Sequence, residues 1–274
     1  MKVELKTWAG LGLATALAGA GLAGCAEEPN ADETTNQAPQ AGEMGEGEGG
    51  EGGESGEGGV DFASASTDPV EYGSALAVAE AHAIAAKDAF AIGRRDEAAE
   101  MFGHPVSEVL ADMDPVFAEL GVEDFKPLFF DASAGVLSGE TEAQVNERFD
   151  GIIAALRGAA AKAPDDGTSE AMVAAGVAVD QIDRAISMYR QASTEGVYPP
   201  YLDGYGFYKA GQTAFEASES AISSENADLH KRISESLDLL AGAYPSADMP
   251  EALDADQGQL TAAGSRAMLG LPRL

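Results

Sequence analysis

Three histidines, at positions 82, 104 and 230, are the residues of this chain best suited to bind a transition metal. His82 belongs to an apolar stripe with helical spacing, formed by Ala75, Val78, His82, Ala85, Ala89 and Ile92. It is therefore either a ligand in the core of a helical bundle or a hydrogen-bonded core histidine without a function. His230 lies in the polar sequence LHKRI and is expected at the surface.

A second candidate set follows His104, because Glu108 and Asp112 lie four and eight residues further along. On one helix this spacing places the three side chains on a common face, as metal ligands require. The same segment has an apolar stripe on nearly the opposite side, formed by Val106, Val109, Leu110, Met113, Phe117 and Leu120. His104 and Glu108 thus form either a metal site covered by other elements or a solvated first helical turn.

Catalytic motifs are missing from the sequence. It contains no HExxH, GxSxG, CxxCH or phosphate-binding loop. The carboxylate pairs Glu97/Glu100 and Glu216/Glu219 each share a helix face, and such pairs can hold iron across a bundle. In so acidic a chain they are also expected by chance. We predict no catalytic residues and a protein that is not an enzyme.

Four of the seven tyrosines fall within the sequence GVYPPYLDGYGFYKAG, at positions 198, 201, 205 and 208. Pro199 and Pro200 suit a first helical turn, so Tyr198 is expected just outside the helix. Tyr201, Tyr205 and Tyr208 then share one face, with Phe207 on a neighbouring stripe of small residues. This face is either the boundary of the core or a surface that binds a partner.

Three stretches of the sequence resemble one family. They are GRRDEAA at 93–99, HPVSE at 104–108 and YLDGYGF at 201–207. They are similar to exported helical modules fused to, or encoded with, bacterial iron permeases, and more distantly to imelysin-type lipoproteins. The matching positions are His82, His104, Glu108, Tyr201, Asp203 and Phe207, whereas Pro200 replaces a Glu of that pattern and the imelysin His-x-x-Glu is absent.

The resemblance implies an all-helical periplasmic domain linked to metal uptake. It adds Asp203 to His82, His104 and Glu108 as a candidate metal ligand, with iron or zinc as the expected metal. The spacing alone does not select between these two metals.

The N-terminus is typical of an exported lipoprotein. Lys2 and Lys6 precede an apolar run to Gly24, which predicts a signal peptide over 1–24. Leu-Ala-Gly-Cys at 22–25 resembles a bacterial lipobox, and Cys25 is the only cysteine in the chain. We expect lipidation of Cys25, membrane attachment through that lipid, and a location on the periplasmic face of the outer membrane, because Ala26 follows.

An acidic tether is predicted over 25–67. Its residues 42–59 comprise ten glycines, six glutamates, one Met and one Ser, a composition typical of disorder. The whole chain has 47 acidic residues against 16 basic ones. This excess makes nucleic acid an improbable partner.

The rest of the sequence predicts an all-α fold of about seven or eight mostly antiparallel helices, because alanine is common and no stretch alternates with period two. The domain is expected over 68–245, followed by a tail over 246–274 with a short helix. Predicted helices run over 69–93, 94–102, 105–121, 123–139, 141–164, 168–194, 199–224, 228–244 and 260–269. A kink or break is expected within 105–121 at Asp114-Pro115, because the residue before a proline is biased away from helix. The function expected is a membrane-anchored, non-enzymatic binding protein, an accessory to iron or divalent-metal uptake. The alternative is a structural or protein-interaction module that contacts an envelope protein and has no small ligand.

Overall fold

The computed structural model describes residues 60–272, and these form a bundle of α-helices without a β-strand among them. The all-α prediction is confirmed. The helices are α1 (Pro69–Ala91), α2 (Arg95–Pro105), α3 (Asp114–Leu120), α4 (Lys126–Leu137), α5 (Glu142–Ala160), α6 (Glu170–Glu195), α7 (Tyr198–Glu225), α8 (Ala227–Ala243) and α9 (Gln257–Met268). A π-helical segment, Val106–Leu110, directly continues α2.

The helix α1 is the centre of the bundle. Asp68 caps its N-terminus by accepting hydrogen bonds from the backbone amides of Val70 and Glu71, and Pro69 occupies the first turn. Helices α2, α5, α6 and α7 all pack against it. Because neighbours surround α1, most of its residues are buried, including the polar Ser74, Glu80 and His82.

The helices α1 and α7 approach closely where α7 carries glycine. A Cβ on Gly206 would clash with the carbonyl of Ala81, and one on Gly204 would clash with the hydroxyl of Tyr244. The two glycines of the YLDGYGF sequence are therefore needed for packing. Gly204 lets α7 approach Tyr244, whereas Gly206 lets it approach α1, where Asp203 and Phe207 of α7 lie beside His82.

Residues 60–67 were expected in the tether, but they pack against the helical domain. Val60 and Ala65 are fully buried in the core, and the backbone amide of Asp61 donates to the carboxylate of Glu71. The folded part therefore includes the eight residues before the expected boundary at Asp68. In the tail, α9 packs against α6 and α8 with Leu260 and Ala267 in the same core.

Smaller differences concern helix ends. Helix α7 begins at Tyr198, which was expected just outside it, and Ser169 rather than Thr168 caps α6. The predicted helix 105–121 does not start at Pro105, since α2 extends through Pro105 into the π-helical segment. The break expected at Asp114-Pro115 is confirmed, because α3 begins at Asp114.

Candidate metal centre

His82 is the most buried member of the candidate site, with a relative exposure of 3%. Its Nδ1 lies 2.8 Å from the carbonyl oxygen of Val78, one turn earlier on α1. A carbonyl oxygen can only accept, so Nδ1 carries the proton. This bond fixes the ring and turns Nε2 away from α1, which is the arrangement that metal-binding histidines use.

Glu108 connects His82 to the second histidine. One carboxylate oxygen, Oε2, lies 3.1 Å from His82 Nε2, and the other, Oε1, lies 3.7 Å from His104 Nδ1. Glu108 is in the π-helical segment, and His104 is in the last turn of α2. Segments of this kind often occur at functional sites, because their wider turn changes where side chains point.

Asp203 completes the group from α7. Its Oδ1 lies 3.7 Å from His82 Nε2, which is beyond hydrogen-bond distance. Among the residues that the structure describes, this buried oxygen has no hydrogen-bond partner. A buried carboxylate oxygen without a partner is costly, so its presence calls for a functional explanation.

His82, His104 and Asp203 each offer one ligand atom, and these atoms lie within 4.8 Å of one another. Two atoms bound to one ion at about 2.0–2.2 Å lie at most about 4.4 Å apart. The three side chains are thus within a small side-chain rotation of a coordination shell. Glu108 falls outside this group of three and instead contacts both imidazoles.

The charges of the site are coupled. Burial lowers the pKa of His82, but the hydrogen bond with Glu108 and the charge of Asp203 outweigh it, so the pKa is raised. The bond with His82 lowers the pKa of Glu108 against the effect of burial. Burial raises the pKa of Asp203, and His82 and His104 offset part of that rise. The pKa of His82 therefore depends on both carboxyl groups, and the pKa of each carboxyl group depends on His82.

A cavity of about 410 Å³ opens beside the group. Its walls include His82, Glu108, Asp203 and Phe207, whose ring meets the His82 ring edge-on with centroids 5.6 Å apart. The opposite wall comes from α6 and consists of Asp180, Asp183, Arg184, Ser187 and Met188. Sequence patterns did not predict this wall, because nothing in the spacing of the α6 residues relates them to the histidines.

Other candidate residues lie elsewhere. The Nε2 of His230 is 3.3 Å from Glu219, and the ring packs on Phe215. Asp112 is exposed, and Glu97 pairs with Arg94. None of these belongs to the group of three ligands.

The three tyrosines proposed as a partner-binding face lie in the core. Tyr201, Tyr205 and Tyr208 are at most 8% exposed. The hydroxyl of Tyr201 donates to the carbonyl of Ser246, and that of Tyr205 donates to Asp88. The ring of Tyr208 stacks on that of Tyr244. The structure thus places them at the core boundary, which was the first of the two interpretations.

Cys25, the signal peptide and the Gly/Glu-rich stretch lie outside the described residues. Within 60–272, no helix combines the length and apolar character needed to cross a membrane. No protein-family model, no curated protein and no solved structure matches the chain.

Proposed function

We propose that this protein is a non-enzymatic metal-binding protein of the bacterial cell envelope, which holds a divalent transition metal between His82, His104 and Asp203. The observation that carries the proposal is the buried, unpartnered Oδ1 of Asp203, 3.7 Å from His82 Nε2. A cation at this point would give that oxygen the partner it lacks. It would also replace the proton on Nε2, while Nδ1 keeps its bond to Val78.

Two imidazoles and a carboxylate are donors that suit iron or zinc, and the cluster contains no thiolate that would favour a softer ion. Three protein ligands beside a cavity leave coordination positions open, as in sites that exchange a ligand rather than in closed structural sites. We therefore assign the protein reversible metal binding. The resemblance to iron-permease-associated modules makes an accessory role in iron uptake the first choice.

Isothermal calorimetry tests the site. We expect Zn²⁺, and Fe²⁺ under anaerobic conditions, to bind the wild-type protein with one tight event. The variants Asp203→Asn and His104→Ala should lose at least about tenfold in affinity, and a His82→Ala/His104→Ala double variant should lose the event. Equal heats for the wild type and the double variant would contradict the proposal.

The third histidine supplies a matched control. His230→Ala removes an imidazole of α8 that lies near Glu219. His230 is not a member of the ligand group. The variant should bind both metals like the wild type. Circular dichroism of every variant establishes that a lost event does not come from unfolding.

Membrane attachment is a separate part of the proposal and rests on Cys25 following Leu-Ala-Gly. Lipidation there would anchor the chain to the periplasmic face of the outer membrane. Cell fractionation of a Cys25→Ser variant should show the protein leaving the membrane pellet. If it stays wholly in the pellet, Cys25 is not the anchor.

A protein-interaction module is the second candidate function, and one feature favours it. On α4, the large apolar side chains of Phe130 and Leu137 are 56% and 67% exposed. Seven residues apart on a helix, they share one face, and large apolar side chains exposed on one face favour a contact with another protein. A photo-crosslinker placed at Phe130 in cells should capture one defined envelope protein, and one placed at exposed Asp150 should not. No adduct specific to Phe130 would count against this candidate.

A further inference from the structure

The cavity beside the metal centre has a strongly unequal charge. Four carboxylates line it, Glu108, Asp180, Asp183 and Asp203, against the single guanidinium of Arg184. The Nε of Arg184 donates to Asp180 Oδ2 at 2.9 Å, so this guanidinium is already engaged with one of the four acids. The field inside the cavity is therefore negative.

Hydrogen bonds and packing hold side chains of the α6 wall in place. Gln181 is fully buried, and its side-chain amide donates to the same Asp180 oxygen at 3.0 Å. Arg184 is only 15% exposed and lies with its guanidinium carbon 5.9 Å from the centre of the Phe207 ring. Asp180 and Arg184 are thus fixed in the wall, whereas the exposed Asp183 stands at the solvent side.

Two of the three proposed ligands also line this cavity. His82 and Asp203 line it, and the unpartnered Oδ1 belongs to the latter. A metal ion approaching from solvent through the cavity passes Asp183 before it reaches these atoms. Carboxylate-lined clefts raise the local concentration of cations and speed their association.

We infer that the α6 wall is the entrance of the metal centre, and that the species it admits is the free hydrated divalent cation rather than an anionic metal chelate. The inference rests on the proposed function and names the substrate class of the same site. Asp183 acts as a steering residue, because its charge attracts the ion without ligating it. A metal–citrate complex, which is anionic, is repelled by the same carboxylates.

Stopped-flow absorbance with Co²⁺ and the purified protein tests the inference, because ligation by histidine and aspartate intensifies the visible bands of cobalt. At low ionic strength, Asp183→Asn should lower the association rate constant about threefold and Asp183→Lys about tenfold. The first variant removes one negative charge that attracts the divalent ion, and the second changes the charge by two units. The dissociation rate constant should not change. At about 1 M NaCl the difference should vanish, because the screening length is then about 3 Å.

The matched control is Asp150→Asn, which removes the same charge from an exposed position on α5 outside the cavity. Its association rate should stay near that of the wild type. An equal decrease in Asp150→Asn and Asp183→Asn would overturn the inference, since the steering would then come from the net charge of the chain. An effect of Asp183→Asn on dissociation alone would also overturn it.

Citrate distinguishes the two forms of the metal. With increasing citrate at constant total Co²⁺, the rate should follow the concentration of free Co²⁺ only. A rate that follows total cobalt would show that the chelate enters, and the inference would fail although the metal site stands. If wild-type protein gives no cobalt bands at all, the proposed function itself fails.

Discussion

Tyr201 and Asp203 lie two residues apart on α7, yet their polar groups have opposite surroundings. The hydroxyl of Tyr201 is bonded to the carbonyl of Ser246, and the neighbouring Tyr244 donates to the carbonyl of Ala185. Tyr189 accepts a bond from the backbone amide of Ala255. Asp203 Oδ1 is equally buried and has no such partner among the described residues.

The tyrosine region is built for stability, because each of these rings buries a large area and its hydroxyl is satisfied. The Asp203 region gives up stability, since burial disfavours the charged form of this carboxyl group and raises its pKa. Sites that sacrifice stability in this way are commonly the functional ones. The comparison therefore predicts opposite responses to mutation in the two regions.

The largest effect is expected in the tyrosine region. Tyr205→Ala should lower the free energy of unfolding by about 2–4 kcal/mol, in the range of large-to-small changes in a core. Urea denaturation followed by circular dichroism measures it. An unchanged midpoint would mean that the ring does not contribute to the core, and the distinction between the two regions would be lost.

Asp203→Asn should act in the opposite direction. A carboxyl whose pKa is raised on folding favours the folded state at low pH, and that contribution is lost as pH rises through the folded pKa. At pH 7 the neutral amide should therefore raise the free energy of unfolding, by about 1–2 kcal/mol. The measurement needs a chelator, because bound metal would stabilise the wild type.

If Asp203→Asn is instead destabilised in the chelator, the carboxylate serves the fold. The argument for a metal at its Oδ1 would then lose its main support.

A smaller effect is expected when one hydrogen bond is removed from the tyrosine region. Tyr205→Phe keeps the ring and removes the hydroxyl that donates to Asp88 Oδ2 at 2.7 Å. It should cost about 1 kcal/mol, the usual net value of one such bond. A loss as large as that of Tyr205→Ala would show that the hydroxyl, not the ring, determines stability there.

The smallest effect concerns pH in the site region. The folded pKa of His82 is raised above its ordinary value of 6.5, so its stabilising contribution is full below that value and is lost as pH rises through the folded pKa. In chelator, the stability advantage of the wild type over His82→Gln should shrink as the pH rises above 6.5. An advantage that grows with pH would mean that neutral His82 is the favoured form.

Sequence patterns were sufficient to predict the helices. Their apolar stripes recur with helical spacing, and caps such as Asp68 and Thr141 mark where they begin. The boundary at Asp68 was less accurate, because the apolar residues of 60–67, among them the buried Val60 and Ala65, lie in a stretch too short to give a periodic signal. Burial of isolated residues depends on what lies next to them.

The site was only partly predictable. His82 was recognisable as a buried histidine, and the spacing of His104 and Glu108 was recognisable as a pair. Within its own segment that pair lies away from the apolar stripe, and a helical wheel cannot show that α1 and α7 cover it. Asp203 was identified through a resemblance to a family and not through its spacing.

The sequence by itself determined an all-helical bundle and the residue types able to bind a metal, because both depend on local composition and periodicity. Only the tertiary structure decided that His82, His104 and Asp203 meet, because their separation in the chain is bridged by packing between helices. Gly206 permits α7 to touch α1 near Ala81, and the π-helical segment carries Glu108 to His82. Such contacts arise from close approach between distant segments, which no short stretch of sequence specifies.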